Sequence, residues 1–378
     1  MSTPDLPEPD RVEGAPHPRD TPQLIGHDAI QAAFLDAFSG GRMHHAWLLT
    51  GPRGVGKATL AWQIARFLLT QPATAEAGAG LFGDAPPVPD TLAVSPGHPV
   101  ARRMAAQSEP GLFVLRRGAN DKGNALSADI RVADVRRLKS FFALSSTDGG
   151  RRVVIVDAAD DMNTSAANAL LKLLEEPPAN ATLLLISHQP ARLLPTIRSR
   201  CRALRLGPLA ADDMAAALAA AGQPVQGDPA ALAELSGGSV GEAIRLLQLD
   251  GMSLYAELVT LLAGHPRLDR PHAIRLAQSA TGKGAEARFD LLLRLIGLLL
   301  ARLARAGAAG PPPCEAAPGE AALLARLSPD PHAARGWAEA AQVLTARARQ
   351  GKAVNLDPAA LILDTVLRID DTAGRLAA

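Results

Sequence analysis

Gly51-Pro52-Arg53-Gly54-Val55-Gly56-Lys57 spaces its glycines and its lysine as a phosphate-binding loop does. Glycines let consecutive backbone N–H groups turn toward phosphate oxygens, and Lys57 carries a positive charge to the terminal phosphates. The next position, where a hydroxyl would hold Mg²⁺, is Ala58. Thr59 lies one residue further, and on a helix that turns its hydroxyl to another face. A second candidate is Asp157, which closes the run Val153-Val154-Ile155-Val156 and can hold Mg²⁺ from a strand end. The residue after it is Ala158 rather than an acid able to polarise water. Asp160 and Asp161 read first as solvated caps ahead of the next helix.

These residues need a strand before the loop, a helix after it and a buried parallel strand beneath Asp157. The sequence supplies all three. Ala46–Leu49 reads as a strand, and Thr59–Leu69 as an amphipathic helix with Leu60, Ile64 and Leu68 on one face. The β-branched run Val153–Val156 is typical of a strand buried on both faces. Further helices are expected at Gln23–Phe38, Ile130–Leu144, Ser165–Glu176 (capped by Asn163 or Thr164 and stopped by Pro177-Pro178) and Pro190–Ile197. Thr182–Ile186 and Ala203–Leu206 read as strands. The alternation predicts an α/β fold with a mostly parallel sheet.

Residues 1–20, rich in Pro and acidic side chains without an apolar core, are expected to be a disordered tail, neither signal peptide nor anchor. The α/β domain is expected over 21–207, with an Ala/Gly/Pro-rich insertion at 71–124 that is partly ordered near Leu112–Arg116. A small helical lid is expected over 208–250 and a C-terminal helical domain over 251–378, interrupted at Ala306–Pro313. Leu291–Leu300 is the most apolar stretch. It is too short to span a bilayer and carries Arg294, so it reads as a buried bundle helix.

In this 378-residue chain 47% of residues are hydrophobic but only 3% aromatic, which predicts cores of Leu, Ala, Val and Ile packed between helices. A formal net charge of +1 gives no overall field to draw the protein to DNA or an anionic membrane. Cys201 and Cys314 are the only cysteines, which excludes a disulfide framework and a Cys-rich zinc site and fits a reducing cytoplasm. His44-His45 lacks companion ligands and reads as packing or capping.

Three segments carry a resemblance: Gly41-Arg42-Met43-His44-His45-Ala46, Asn168-Ala169-Leu170-Leu171-Lys172-Leu173-Leu174-Glu175-Glu176-Pro177-Pro178 and Ile197-Arg198-Ser199-Arg200-Cys201. Together they resemble bacterial clamp-loader subunits of the AAA+ superfamily, over Gln23–Leu247 clearly and over the C-terminal helices by pattern only. The resemblance implies an AAA+ P-loop domain, a helical lid and a C-terminal collar. It implies Arg200, within Ser199-Arg200-Cys201, as an arginine finger presented to a neighbouring subunit's nucleotide, a task suited to its permanent charge and forked donors. Spacing alone favours a local salt bridge or a strand-edge arginine instead. Cys201 then reads as a packing residue, and Ser187 as either a sensor or a strand-end cap. Gly51, Gly54, Gly56, Lys57, Thr59, Asp157 and Ser187 form the expected nucleotide-facing set, for ATP or ADP with Mg²⁺ as a static ligand.

Gly238-Ser239-Val240-Gly241-Glu242-Ala243 resembles the family's second sensor region, where active members place an arginine at the position of Gly241. Arg245 lies a turn later and is not expected to replace it. The four-cysteine zinc module of many relatives has no counterpart in 71–124, so no zinc is expected. With Ala58, Ala158 and Gly241 in place of working groups, little or no ATP hydrolysis is expected, and no polymerase chemistry. The implied partners are motor subunits of the gamma/tau type, a delta subunit, the sliding clamp indirectly, and primed DNA in the assembled complex. The competing readings are an active motor subunit of such a loader, with Thr59 and Asp160 in shifted roles, and a P-loop kinase for a small molecule.

Overall fold

A computed structural model describes residues 8–9, 11–72, 89–143 and 150–377. The chain divides into two compact units, Met1–Pro224 with Ser239–Gly241, and Val225–Gly238 with Glu242–Ala378.

The first unit is an α/β layer structure. Its helices and strands run α1 (Asp28–Ser39), β1 (Ala46–Thr50), α2 (Lys57–Thr70), α3 (Pro99–Ala105), β2 (Leu112–Arg116), α4 (Val132–Ala143), β3 (Arg152–Asp157), α5 (Thr164–Glu175), β4 (Ala181–Ser187), α6 (Pro195–Ser199), β5 (Arg202–Arg205) and α7 (Ala211–Ala220). The five strands pair in the order β2-β3-β4-β1-β5, every pair parallel. β1 and β4 are buried along their whole lengths and β3 beyond its first residue, as expected where helices cover both faces of a parallel sheet. Asn163 caps α5, its side chain accepting from the Ala166 amide at 2.9 Å.

Several sequence expectations change here. The segment 71–124 is not simply an insertion: 73–88 lie outside the described residues, but Leu112–Arg116 forms the edge strand β2 and pairs with β3 in register. The expected helix Pro190–Ile197 is a 3₁₀ turn followed by the separate α6, because Pro195 has no N–H to continue a helix and instead opens a new one. Leu144, at the end of the helix expected over Ile130–Leu144, lies outside the described residues.

The expected disordered tail 1–20 also changes in its described part; residues 1–7 and 10 lie outside it. Glu8 accepts from Arg19 at 2.6 Å and from Arg116 at 3.0 Å, and His17 is buried edge-on against Trp62. Burial would raise the Glu8 carboxyl, but the hydrogen bonds from Arg19 and Arg116 outweigh it and hold the group below the usual carboxylate range. Arg66 donates to the Arg19 carbonyl at 2.7 Å, tying this segment to α2.

The second unit is all helical: α8 (Pro229–Ser236), α9 (Val240–Gln248, after its first two residues), α10 (Gly251–Ala263), α11 (Arg270–Gln278), α12 (Glu286–Ala309), α13 (Glu320–Leu327), α14 (Pro331–Ala353) and α15 (Pro358–Leu376). The lid expected over 208–250 is therefore divided, α7 belonging with the sheet and α8 with the C-terminal helices. The interruption expected at Ala306–Pro313 begins later, since α12 continues to Ala309. Gly307 inside it allows the Asp330 carbonyl to approach to a distance that a side chain would not permit. α12 buries Leu291, Leu292, Leu295, Ile296, Leu299, Leu300 and Leu303 along one stripe. Among the described residues no single helix is long and apolar enough to cross a membrane; the bent pair α9 and α10 meets that test by length and composition only.

One buried ionic cluster organises this unit. Arg302 donates to both carboxylate oxygens of the fully buried Glu320 at 2.5 and 3.0 Å, to Glu234 of α8 at 2.8 Å and to the Cys314 carbonyl at 3.2 Å. The Tyr255 hydroxyl of α10 donates to Glu320 at 2.5 Å. Four helices thus meet at one guanidinium–carboxylate pair. Replacing Glu320 by Ala leaves Arg302 buried without its main partner and is expected to cost about 3–5 kcal/mol of unfolding free energy, read from the urea midpoint of the purified chain, whereas a loss below about 1 kcal/mol would show that the cluster does not hold these helices together.

Candidate phosphate-binding and trans-acting site

The central strands β3, β4 and β1 lie side by side and end at one level. Thr50 pairs with Ser187 across β1 and β4, and Val156 with Leu185 across β3 and β4. Parallel alignment therefore gathers the loop after β1, Asp157 at the end of β3 and Ser187 at the end of β4 on one edge of the sheet, where open α/β sheets bind ligands. The motif and the β-branched run pointed to Lys57 and Asp157, whereas Ser187 was expected beside them only from the family resemblance.

The loop sits as a phosphate cradle should. Gly51 adopts φ +145°, and a side chain there would collide with the Leu206 carbonyl. Gly54 adopts φ +78° with the Ser239 hydroxyl where its Cβ would be. Gly56 caps the N-terminus of α2, Lys57 is the first residue of that helix, and the His27 ring bonds the Val55 carbonyl at 2.9 Å to hold the loop from behind.

Lys57 is almost fully buried. Its ammonium donates to the carbonyls of Gly51, at 2.8 Å, and Pro52. Burial lowers its pKa to about 8, against the favourable charges of Asp157 and Asp160. Ala58 offers no hydroxyl and Thr59 follows on the helix, as the sequence indicated. The loop therefore has backbone and lysine suited to phosphate, with one metal-holding hydroxyl fewer.

Asp160 has a different place from either sequence reading. It neither caps α5 nor stands ready for catalysis. One carboxylate oxygen accepts the Ser187 hydroxyl at 2.7 Å; the other accepts the amides of His188 and of Gln189, the latter at 3.2 Å. Three donors so fix Asp160 as a clasp between the end of β3 and the end of β4. That occupancy weighs against the shifted catalytic role. Ser187 is fully buried and donates within this clasp. Asp157 is buried at the strand end.

At the opposite end of β4's neighbour α5 lies the Ser199-Arg200-Cys201 element. Ile197 and Cys201 pack into the core cluster formed with α5 and the sheet, which fixes the backbone on both sides of Arg200. Burial pushes the Cys201 thiol up to about 12, so it packs rather than reacts. Arg200 caps α6 with its side chain 37% exposed, one amino group 2.9 Å from Glu175 and another donating to the Thr196 carbonyl at 3.1 Å. The local salt bridge foreseen from spacing exists, yet the guanidinium remains at the surface.

Comparison with known proteins joins these features. A family described as "DNA polymerase III, delta subunit" matches residues 26–210, which include the loop, Asp157, Ser187 and Arg200. The DNA polymerase III subunit delta' of Pseudomonas aeruginosa is 38% identical over 240 residues, 63% of this chain and 66% of that protein. Over residues 26–210 the chain is similar to the DNA polymerase III delta' subunits. The delta' subunit of Escherichia coli K12 is 32% identical over 60% of this chain and 61% of its own length. The chain thus spans a little under two thirds of these delta' relatives. A gamma/tau subunit of Mycobacterium tuberculosis H37Rv matches less well, at 29% identity over 47% of this chain and 27% of that protein.

The contacts made by Ser239, Gly241, His188 and Glu175 were not readable from the sequence. Ser239 donates to the Arg53 carbonyl at 2.9 Å, and the Gly241 amide donates to the Gly54 carbonyl at 3.3 Å, so the segment 239–241 closes on the loop. His188 stands beside it, its pKa lowered to about 4 by burial and by the charges of Lys57 and Arg53. Glu175 was visible only as part of a motif. All depend on contacts between residues far apart in sequence, for which spacing carries no signal. His44 and His45 stack at 4.5 Å; the His44 ring bonds the nearby Ala46 carbonyl at 2.8 Å, whereas the His45 ring reaches a distant part of the chain, the Leu174 carbonyl, at 3.0 Å.

The depressed Lys57 pKa carries a sign that can be tested. The unfolded chain holds more protons on this group from about pH 8 to 10.5, so the penalty for burying its charge is full below that window and fades as the pH rises through it. Lys57→Met is expected to raise the thermal midpoint at about pH 7 and to lose that advantage toward about pH 10. A variant less stable than the parent at neutral pH would contradict the arrangement.

Proposed function

We propose that this chain works as the delta' subunit of a DNA polymerase III clamp loader, a largely non-hydrolysing AAA+ member of the ring that helps place a sliding clamp on primed DNA. The supporting observation is a division of labour within one domain. Its own phosphate loop lacks companions for hydrolysis at Ala58 and Ala158, while Arg200 is anchored through its backbone and left at the surface.

Electrostatic stabilisation carries most of phosphoryl transfer, so losing the metal-holding hydroxyl and the water-polarising acid should nearly abolish turnover. Gly241 in place of an arginine removes a further positive charge, and Arg245 is engaged with Glu242 at 3.5 Å. ATP or ADP would be held by the backbone about Gly51, Gly54 and Gly56 and by Lys57, with Mg²⁺ on Asp157. When bound, the nucleotide supplies an anionic polyphosphate that neutralises the buried lysine. Ser187 and Asp160 keep the strand ends in register beneath it.

Arg200 would act on the nucleotide of a neighbouring gamma/tau-type subunit, its delocalised charge and fork of donors meeting the charge that develops on the transferred phosphoryl group. The delta subunit, the clamp and primed DNA would be met in the assembled complex. The C-terminal helices would form its collar, and a cytoplasmic location goes with that role.

The test is reconstitution with motor, clamp-opening and clamp subunits. Arg200→Ala is expected to leave assembly intact and to lower the DNA-stimulated ATPase by roughly 10³-fold at the site it faces. The purified chain alone is expected to show no ATP turnover above background. Unchanged ATPase in the Arg200→Ala complex, or turnover by the isolated chain that disappears in Lys57→Ala, would overturn the proposal.

A further inference from the structure

We infer that Glu175 is a positioning residue for Arg200, setting the guanidinium in the plane from which it reaches a neighbour's phosphate. This rests on the reading of Arg200 as a trans-acting group and extends it to a residue that does not itself touch the nucleotide.

A guanidinium at the end of a flexible side chain must be ordered before its forked donors can act together. Arg200 is held at three levels. Ile197 and Cys201, packed in the core, fix its backbone. Its two terminal amino groups are then engaged separately, one donating to Thr196 within α6 at 3.1 Å, the other paired with Glu175 of α5 at 2.9 Å. The Thr196 contact alone would leave the fork able to swing about its own helix. Glu175 supplies a second anchor on a different element.

That element is itself fixed. Asn163 caps α5 at its start, Leu170 and Leu174 are buried, and the Leu174 carbonyl is bonded to the His45 ring at 3.0 Å. Glu175 is thus the last residue of a helix held at both ends, and its carboxylate is a stable reference point.

The exposure of the pair fits positioning better than stability. Arg200 and Glu175 have side chains 37% and 49% exposed, so their attraction is weakened by solvent. A strong buried pair would keep the arginine for itself; a weak one aligns it and still lets its remaining N–H donors engage a more concentrated negative charge. Pre-alignment lowers the ordering cost at the moment of transfer and so acts on the rate of the chemical step.

The experiment uses the reconstituted loader carrying Glu175→Ala, Glu175→Gln or Arg200→Ala, with DNA-stimulated ATPase resolved into kcat and KM for ATP. Glu175→Ala is expected to lower kcat about two- to fivefold, the range to which an exposed ion pair converts. KM for ATP and the elution of the complex should be unchanged. Glu175→Gln keeps a carbonyl acceptor and is expected to recover most of the loss. A kcat indistinguishable from the parent in Glu175→Ala, or an increase, would overturn the positioning role while the Arg200→Ala effect persists. A Glu175→Gln complex as slow as Glu175→Ala would also overturn it. Loss of the Arg200→Ala effect would instead remove the reading on which it rests.

Discussion

Parallel pairing of β3, β4 and β1 places three strand ends at one level, and the chemistry of the first unit depends on that alignment. The strands come from distant parts of the chain, so nothing in the local backbone brings Lys57, Asp157 and Ser187 together. Register does. Asp160 then locks it, because its carboxylate bonds the Ser187 hydroxyl and the amides that follow β4. An acid that in a hydrolysing site could serve catalysis is spent on geometry.

The same economy explains the electrostatics. Burying a lysine is unfavourable, and the loop's own carbonyls answer only part of that cost. The fold nevertheless keeps the charge beside Asp157 and Asp160. Under the proposed function such a site holds an anion without cleaving it, while Arg200, at the other end of α5, has its guanidinium at the surface. The second unit relies on a buried pair of its own: Arg302 and Glu320 tie α8, α10, α12 and α13 at one point, a directional restraint that the largely aliphatic core between those helices does not provide.

Much of this was legible in the sequence, for reasons tied to particular residues. Val153–Val156 could be read as a buried strand because it is β-branched without alternation, and Gly51–Lys57 because its glycines answer a backbone requirement that few other residues meet. Partial order near Leu112–Arg116 was visible, but that it is a strand at the sheet edge was hidden within a segment whose composition resembles a loop. The described residues between 8 and 20 owe their order to Glu8 meeting Arg19 and Arg116, one of them more than a hundred residues away, and to His17 covering Trp62, contacts that composition does not signal. The lid was misplaced for a similar reason. Helical periodicity shows where α7 and α8 lie but not which unit each packs into, and Glu234 joins α8 to Arg302 across a long separation. Glu175 stood in a recognised motif, yet only the fold shows which arginine it faces.

The central claim is that the chain holds phosphate without cleaving it and acts on its neighbour through Arg200. The most direct measurement is a cryo-EM structure of the reconstituted loader on primed DNA with ADP and a phosphoryl-transfer mimic. The expected result places the Arg200 guanidinium within hydrogen-bond reach of the mimic at the adjacent subunit, with no mimic at the loop ending in Lys57. Arg200 turned to solvent, or a mimic bound at this chain's own loop with Asp160 released from Ser187 toward it, would contradict the account.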